Sequence, residues 1–169
     1  SEIINNIFVN VFENSLKQPK YIEIYMYILK SINNKYDITA LIREKTDKFI
    51  LNMEKITKDI KNSESNNYDD ICVIFKKKEY VVGYSIFISQ LHNYNLIENI
   101  DNYIKQLIVL IRDCNSIDYR INLVDSLYHI IKTLNNISIE ICDIEDLLNL
   151  EINNKSRFRI LDILDLIKV

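Results

Sequence analysis

Apolar residues recur along nearly the whole chain at spacings of three and four, the period of one face of an α-helix. Ile3, Ile4, Ile7, Phe8, Val11, Phe12 and Leu16 form a first stripe. Pro19 follows, and it can open a second helix at its first turn, where a missing N–H leaves no bond unmade. That helix carries Tyr21, Ile24, Tyr25, Ile28, Leu29 and Ile32, and Asn33 and Asn34 close it. A third stripe passes from Ile38 through Ile42, Phe49 and Met53 to Ile60. Residues 61–70 are polar without a period, which predicts an internal loop. Beyond it lie an apolar run at 71–75, a stripe over 84–91 and an asparagine turn at 93–95. Helices are then predicted over 96–111 and 117–134, a short one over 144–148 and a last one over 158–167, whose stripe is read as Phe158, Leu161, Leu164 and Ile167. About eight helices joined by short polar turns result.

Composition narrows the class. The 169 residues hold one Gly and one Pro. A Gly-rich phosphate loop is excluded, and hairpins and crossovers are starved of turn residues. The chain is therefore all-α. Hydrophobic residues are 48% and charged residues 27%, ordinary for one folded domain spanning 1–169. Helices of this length with short connections pair antiparallel, which predicts an α-solenoid of HEAT-type helix pairs, about four to five repeats; a globular helical bundle is the alternative from pattern alone. The 33 isoleucines and 21 asparagines point to an AT-rich coding genome more than to a structural demand.

Charge and candidate chemistry exclude more than they assign. The net charge of −3 is no nucleic-acid footprint. Cys72, Cys114 and Cys142 are odd in number and lack a C-x-x-C, as reduced thiols of a cytoplasmic protein would. His92 and His129 stand too far apart in sequence for a zinc motif, so no metal or other cofactor is expected. No apolar run is long enough to span a membrane. Asp69 and Asp70, and the group Asp143, Glu145 and Asp146, read as solvated faces and helix N-terminal carboxylates. No Ser, Cys or His constellation argues for a nucleophile, so an enzyme is not expected. Lys76, Lys77 and Lys78, with Lys55, Lys58 and Lys61, are the candidate contact to RNA phosphates.

Three segments in order resemble the middle HEAT domain of eukaryotic translation initiation factor four gamma. Val11-Phe12-Glu13-Asn14-Ser15-Leu16-Lys17-Gln18-Pro19-Lys20-Tyr21, with Tyr25 beyond it, is similar to the family's I-F-E-K-A-x-x-E-P-x-F/Y-x-x-x-Y. Leu41 to Phe49 resembles its next helix. Gly83-Tyr84-Ser85-Ile86-Phe87-Ile88-Ser89-Gln90-Leu91 resembles G-N-I-x-F-I-G-E-L, and the sole Gly falls on the family's Gly. Lys155-Ser156-Arg157-Phe158, then Asp162-Ile163-Leu164-Asp165-Leu166, resembles R-I-R-F-x-x-x-D-V-I/L-D/E-L. Against the pattern, the insert before the Gly motif is short and Tyr84 replaces an asparagine.

The resemblance implies a translation initiation scaffold that binds and stimulates a DEAD-box RNA helicase, initiation factor four A, through both helicase lobes. One lobe would meet Pro19, Lys20 and Tyr21. The other would meet Lys155, Arg157, Phe158 and Asp162, with Phe158 as apolar anchor and Arg157 as charged contact. A cap-binding protein would be reached only through segments outside this chain. An RNA-binding HEAT module that contacts mRNA, or a middle-domain adapter in mRNA decay, are the alternatives. The trimmed insert and AT-rich composition fit a reduced genome such as that of a giant DNA virus or a protist.

Overall fold

Residues 2–62 and 67–168 are described by a computed structural model, with side chains left aside at 60–62. Nine α-helices occur among them: α1 (Glu2–Lys17), α2 (Ile22–Asn33), α3 (Thr39–Asp47), α4 (Phe49–Asn62), α5 (Tyr68–Asn93), α6 (Ile100–Asp113), α7 (Ile117–Thr133), α8 (Ile141–Glu145) and α9 (Asn154–Ile167). Two 3-10 turns, Pro19–Tyr21 and Asp146–Asn149, join α1 to α2 and extend α8. No strand occurs among the described residues.

The predicted elements differ from the observed ones at several places, among them residues 96–99, which precede α6 rather than open it. The stripe 38–60 is two helices that break at Lys48, whose N–H turns back to the Thr46 carbonyl. The buried positions Ile42, Thr46, Phe49 and Met53 keep helical spacing through the break, so periodicity cannot reveal it. Conversely, 71–75 and 84–91 belong to one 26-residue helix. The three lysines between them interrupt the apolar pattern, but lysine is a good helix former. Of the predicted loop 61–70, residues 61 and 62 close α4, 68–70 open α5, and 63–66 lie outside the described residues. On α9 the buried face is Ser156, Ile160, Ile163 and Leu164, whereas Phe158 and Leu161 point outward.

Local signals account for the ends of α5. The Asn67 side chain accepts from the Asp69 N–H at 3.4 Å, and Asp69 and Asp70 suit the positive end of the helix. At the far end Asn95 adopts φ 57°. Its N–H bonds the His92 carbonyl, and that of Leu96 bonds the Leu91 carbonyl, the paired closure of a Schellman turn with Asn in the usual Gly position.

The helices pack as sequential pairs, α1 with α2, α4 with α5, α6 with α7, and α8 with α9. Across pairs, α1, α5, α7 and α9 follow one another as a continuous layer. This stacking is consistent with an α-solenoid, and a single apolar core runs through it from Phe8 to Leu164. At the first junction Phe12, Phe49, Tyr84 and Phe87 meet edge to face at centroid distances of 5.1–5.5 Å. The Tyr84 hydroxyl donates to the Lys45 carbonyl at the end of α3, and burial pushes its pKa far up. Gly83 lies against the Leu16 backbone, so the sole glycine marks the closest approach of α1 and α5. Between α5 and α7 the buried Ser85 and Ser126 hydroxyls bond at 2.6 Å.

Arg120 on α7 fastens the second half. It is 7% exposed. Its Nε donates to the Ile111 carbonyl at 3.1 Å, and its other nitrogens donate to the carbonyls of Cys114 and Glu151. One side chain thus closes the end of α6 and holds the segment that leads into α9.

Candidate partner-binding ends

α9 is set by its cap. The Asn153 side chain accepts from the Ser156 N–H at 2.8 Å, fixing the start of the helix. With Ile160, Ile163 and Leu164 turned inward, helical geometry puts Phe158, Leu161, Asp162 and Asp165 together on the outer face. Phe158 is 65% exposed, so a core role for its ring is excluded. Lys155 and Arg157 are exposed beside it. Asp162 is held by Arg159 at 3.5 Å. Arg159, half-buried, also bonds Asp125 of α7 at 2.8 Å and lies 4.2 Å from the Tyr128 ring centroid. Arg159 was not singled out from the sequence. Its i,i+3 spacing to Asp162 is a weak signal, and nothing in the sequence points to Asp125, 34 positions away.

In the same patch His129 is half-buried. Burial pushes its pKa below the usual histidine value, Arg159 and Lys132 push the same way, and Asp125 opposes them.

The other end is the Pro19–Tyr21 turn. The Gln18 N–H bonds the Asn14 carbonyl at 2.9 Å, and the Tyr21 N–H bonds the Gln18 carbonyl at 3.0 Å. Pro19 is half-buried and Lys20 is exposed, with its Nζ 4.8 Å from the Tyr21 ring centroid; Tyr21 is 44% exposed. Between this turn and α5 runs a groove of about 330 Å³ lined by Leu16, Lys17, Pro19, Phe75, Lys78, Glu79 and Val82. α1 belongs to the first pair and α9 to the last, so the two sets of residues proposed for partner contact sit at opposite ends of the layer α1, α5, α7, α9.

The lysines are divided between two sides of α5. Lys76, Lys77 and Lys78 are consecutive on α5, so they fan out by about 100° each around the helix. Lys76 and Lys77 both border Ile56 and Tyr80 on the α4 side, where Lys77 lies 3.9 Å from Asp59, whereas Lys78 borders the groove beside Pro19. Lys58 is paired with Glu54, and the side chain of Lys61 lies outside the described residues.

The acidic group near the C-terminus is ion-paired. Arg112 reaches Asp143 at 3.3 Å and Asp146 at 3.7 Å, and Lys168 reaches Glu145 at 3.6 Å. Among the described residues no three His, Cys, Asp or Glu side chains are grouped to hold a metal, and no helix is long and apolar enough to cross a membrane.

Comparison with known proteins finds no matching family model, no matching curated protein and no matching solved structure.

Proposed function

We propose that the chain is a non-enzymatic scaffold of HEAT-type helix pairs that holds both lobes of a DEAD-box RNA helicase of the initiation factor four A kind in the cytoplasm. The observation that carries this reading is the outward Phe158 ring, 65% exposed, flanked by Arg157 and by a fixed Asp162. A large apolar ring amid charges, on a helix whose core side is already filled, is the chemistry of a hot spot with a polar rim. The sequence resemblance supplies the identity of the partner. Pro19, Lys20 and Tyr21, at the opposite end, form the second contact.

A scaffold of this kind acts by differential affinity. It binds the helicase more tightly in one relative placement of the lobes, so that placement gains population, and ATP turnover or unwinding rises without chemistry on the scaffold. The test is a pull-down of initiation factor four A at micromolar concentration, followed by helicase ATPase measured with and without the chain. Capture and a raised ATPase are expected. The double change Phe158→Ala with Arg157→Glu should remove most of both while leaving helical circular dichroism intact. Absence of capture sinks the proposal, as does a double variant that binds like the parent.

The RNA-binding alternative has less behind it, because Lys78 points away from Lys76 and Lys77, and Lys77 and Lys58 already face carboxylates. A middle-domain adapter in mRNA decay would use the same two ends with a different DEAD-box partner, and side-by-side capture of several helicases separates the two.

A further inference from the structure

The end of α1 meets α5 at Gly83, and the chain then turns at Pro19. The groove beside this crossing has two walls. On α5 the wall is one helical face, Phe75, Lys78, Glu79 and Val82, at spacings of three and four. The other wall is Leu16, Lys17 and Pro19. A second hollow, of about 470 Å³, is lined by Lys17, Gln18, Pro19, Lys20 and Tyr21. Lys17 and Pro19 line both, so the two form one surface around the turn.

This surface combines apolar walls with basic charge. Leu16 is buried and Val82 half-buried, and the Phe75 and Tyr21 rings are 62% and 44% exposed. The ammonium groups of Lys17, Lys20 and Lys78 border it, against the single carboxylate of Glu79. The lining is thus net positive on a chain whose net charge is −3. Among the described residues no ion pair engages Lys20 or Lys78. Lys17 meets Glu13 at 3.9 Å with both side chains largely in solvent, a contact of little strength.

These features select what can dock. A basic segment is repelled. A purely apolar one covers the walls but takes water from the lysines without replacing it. A nucleic-acid strand satisfies the lysines but leaves Leu16, Phe75 and Val82 uncovered and must carry its phosphates past Glu79. A segment bearing both carboxylates and apolar side chains answers both halves of the surface. The groove of about 330 Å³ is at the low end of ligand-sized cavities, so it takes one or two side chains.

We infer that the Pro19 turn and the adjoining face of α5 dock an acidic, apolar peptide segment of a partner protein. Its apolar side chains enter the groove beside Phe75, and its carboxylates meet Lys17, Lys20 and Lys78. The inference rests on the scaffold reading for the identity of the partner, and it gives the second contact of that scaffold its chemistry.

Fluorescence anisotropy of the whole chain with a short labelled peptide of Asp, Glu, Phe and Leu reads the binding. Kd is expected on the order of 10–100 μM, weakening about tenfold as salt rises from about 50 to about 500 mM. Lys17→Glu/Lys78→Glu should raise Kd roughly tenfold or more, and Phe75→Ala about fivefold. Lys55→Glu/Lys76→Glu makes the same change in net charge on the α4 side and should leave Kd within about twofold. Circular dichroism checks that each variant is folded. A parent chain that does not bind the peptide overturns the inference. So does a Lys17→Glu/Lys78→Glu variant that binds like the parent, or a peptide with Ser in place of Phe and Leu that binds as tightly. An oligouridylate that binds more tightly than the peptide overturns it in favour of an RNA contact. Helicase capture should fall with the same lysine change. Capture insensitive to that change overturns this inference and leaves the scaffold standing. Absence of capture, with the peptide still bound through the lysines, sinks the scaffold and leaves the acidic-segment surface standing.

Discussion

Gly83→Ala puts the close crossing of α1 and α5 to a test in which two effects oppose each other. Within a helix, Ala is favoured over Gly by about 1 kcal/mol, so a glycine without a packing role would gain stability on replacement. At Gly83 the added methyl would fall well inside contact distance of the Leu16 carbonyl oxygen and 2.9 Å from its carbon. The obstacle is backbone at the end of a helix, which no rotamer change relieves. α1 would have to retreat by roughly 1 Å to restore ordinary contact. The same turn of α1 seats Phe12 and Leu16, 7% and 2% exposed, against α5. Overpacking of a rigid contact costs about 3–4 kcal/mol at its upper end. Set against the helix preference, the net loss should be about 2–3 kcal/mol.

Urea denaturation followed by circular dichroism measures this loss, and thermal denaturation should show a fall in Tm of roughly 4–12 °C for a chain of this size. A second variant separates backbone from side-chain crowding. If the Leu16 side chain were the obstacle, Leu16→Ala would partly rescue Gly83→Ala; with a backbone obstacle, the double variant should be less stable than either single one. A Gly83→Ala protein as stable as the parent, or more so, would refute the close-crossing explanation for the sole glycine.

Other substitutions probe the second half. Phe158→Ala should change stability by less than about 0.5 kcal/mol, whereas Ile163→Ala, on the buried side of the same helix, should cost about 2–5 kcal/mol in the same urea assay. Arg120→Met removes the donor shared by three carbonyls and should cost about 2–4 kcal/mol, with faster proteolysis near residues 150–153 than in the parent. For His129 the folded pKa lies below the unfolded value near 6.5, so the unfolded chain binds the extra proton first. Stability should therefore fall as pH drops below about 6.5 and level off below the folded pKa, and His129→Phe should flatten that limb of the pH–stability curve.

Legibility in the sequence followed the range of the interactions involved. Stripes that face one core side, as on α1 and α6, are local patterns, and so is the asparagine turn that closes α5. The break at Lys48 was hidden because the buried residues keep their spacing across it. The continuity of α5 was hidden because its first half faces outward on most sides. α9 carries two apolar lines, Phe158 with Leu161 and Ile160 with Ile163, and only the position of α7 decides which is buried. Arg120 and Arg159 are set by carbonyls and a carboxylate that come close only after the pairs stack. The exposure of Phe158 and of Tyr21 was not legible, because it depends on which faces the stacked helices cover.

Stacking accounts for part of the distribution of exposed apolar residues, though not for Tyr68, Ile71, Val73 and Phe75 on the inner helix α5, and that part bears on the proposed function. An inner layer of a helical stack is covered on both sides, and α7 accordingly has no large hydrophobic side chain among the exposed ones. The helices at the two ends of the described stack are covered on one side only. Ile3, Ile7, Ile24 and Tyr27 are exposed on α1 and α2, and Phe158, Leu161 and Leu166 on α9. α9 mixes these apolar side chains with Arg157, Asp162 and Asp165 on its outer face, and Arg159 with Asp125 anchors the helix from beneath. Holding an apolar–charged face rigid lowers the entropy lost when a partner docks on it. The Arg159 anchor thus predicts a graded effect: Asp125→Asn, which touches no outer residue, should weaken helicase capture less than Phe158→Ala does, but measurably. A variant that binds like the parent would remove the anchor from the binding mechanism.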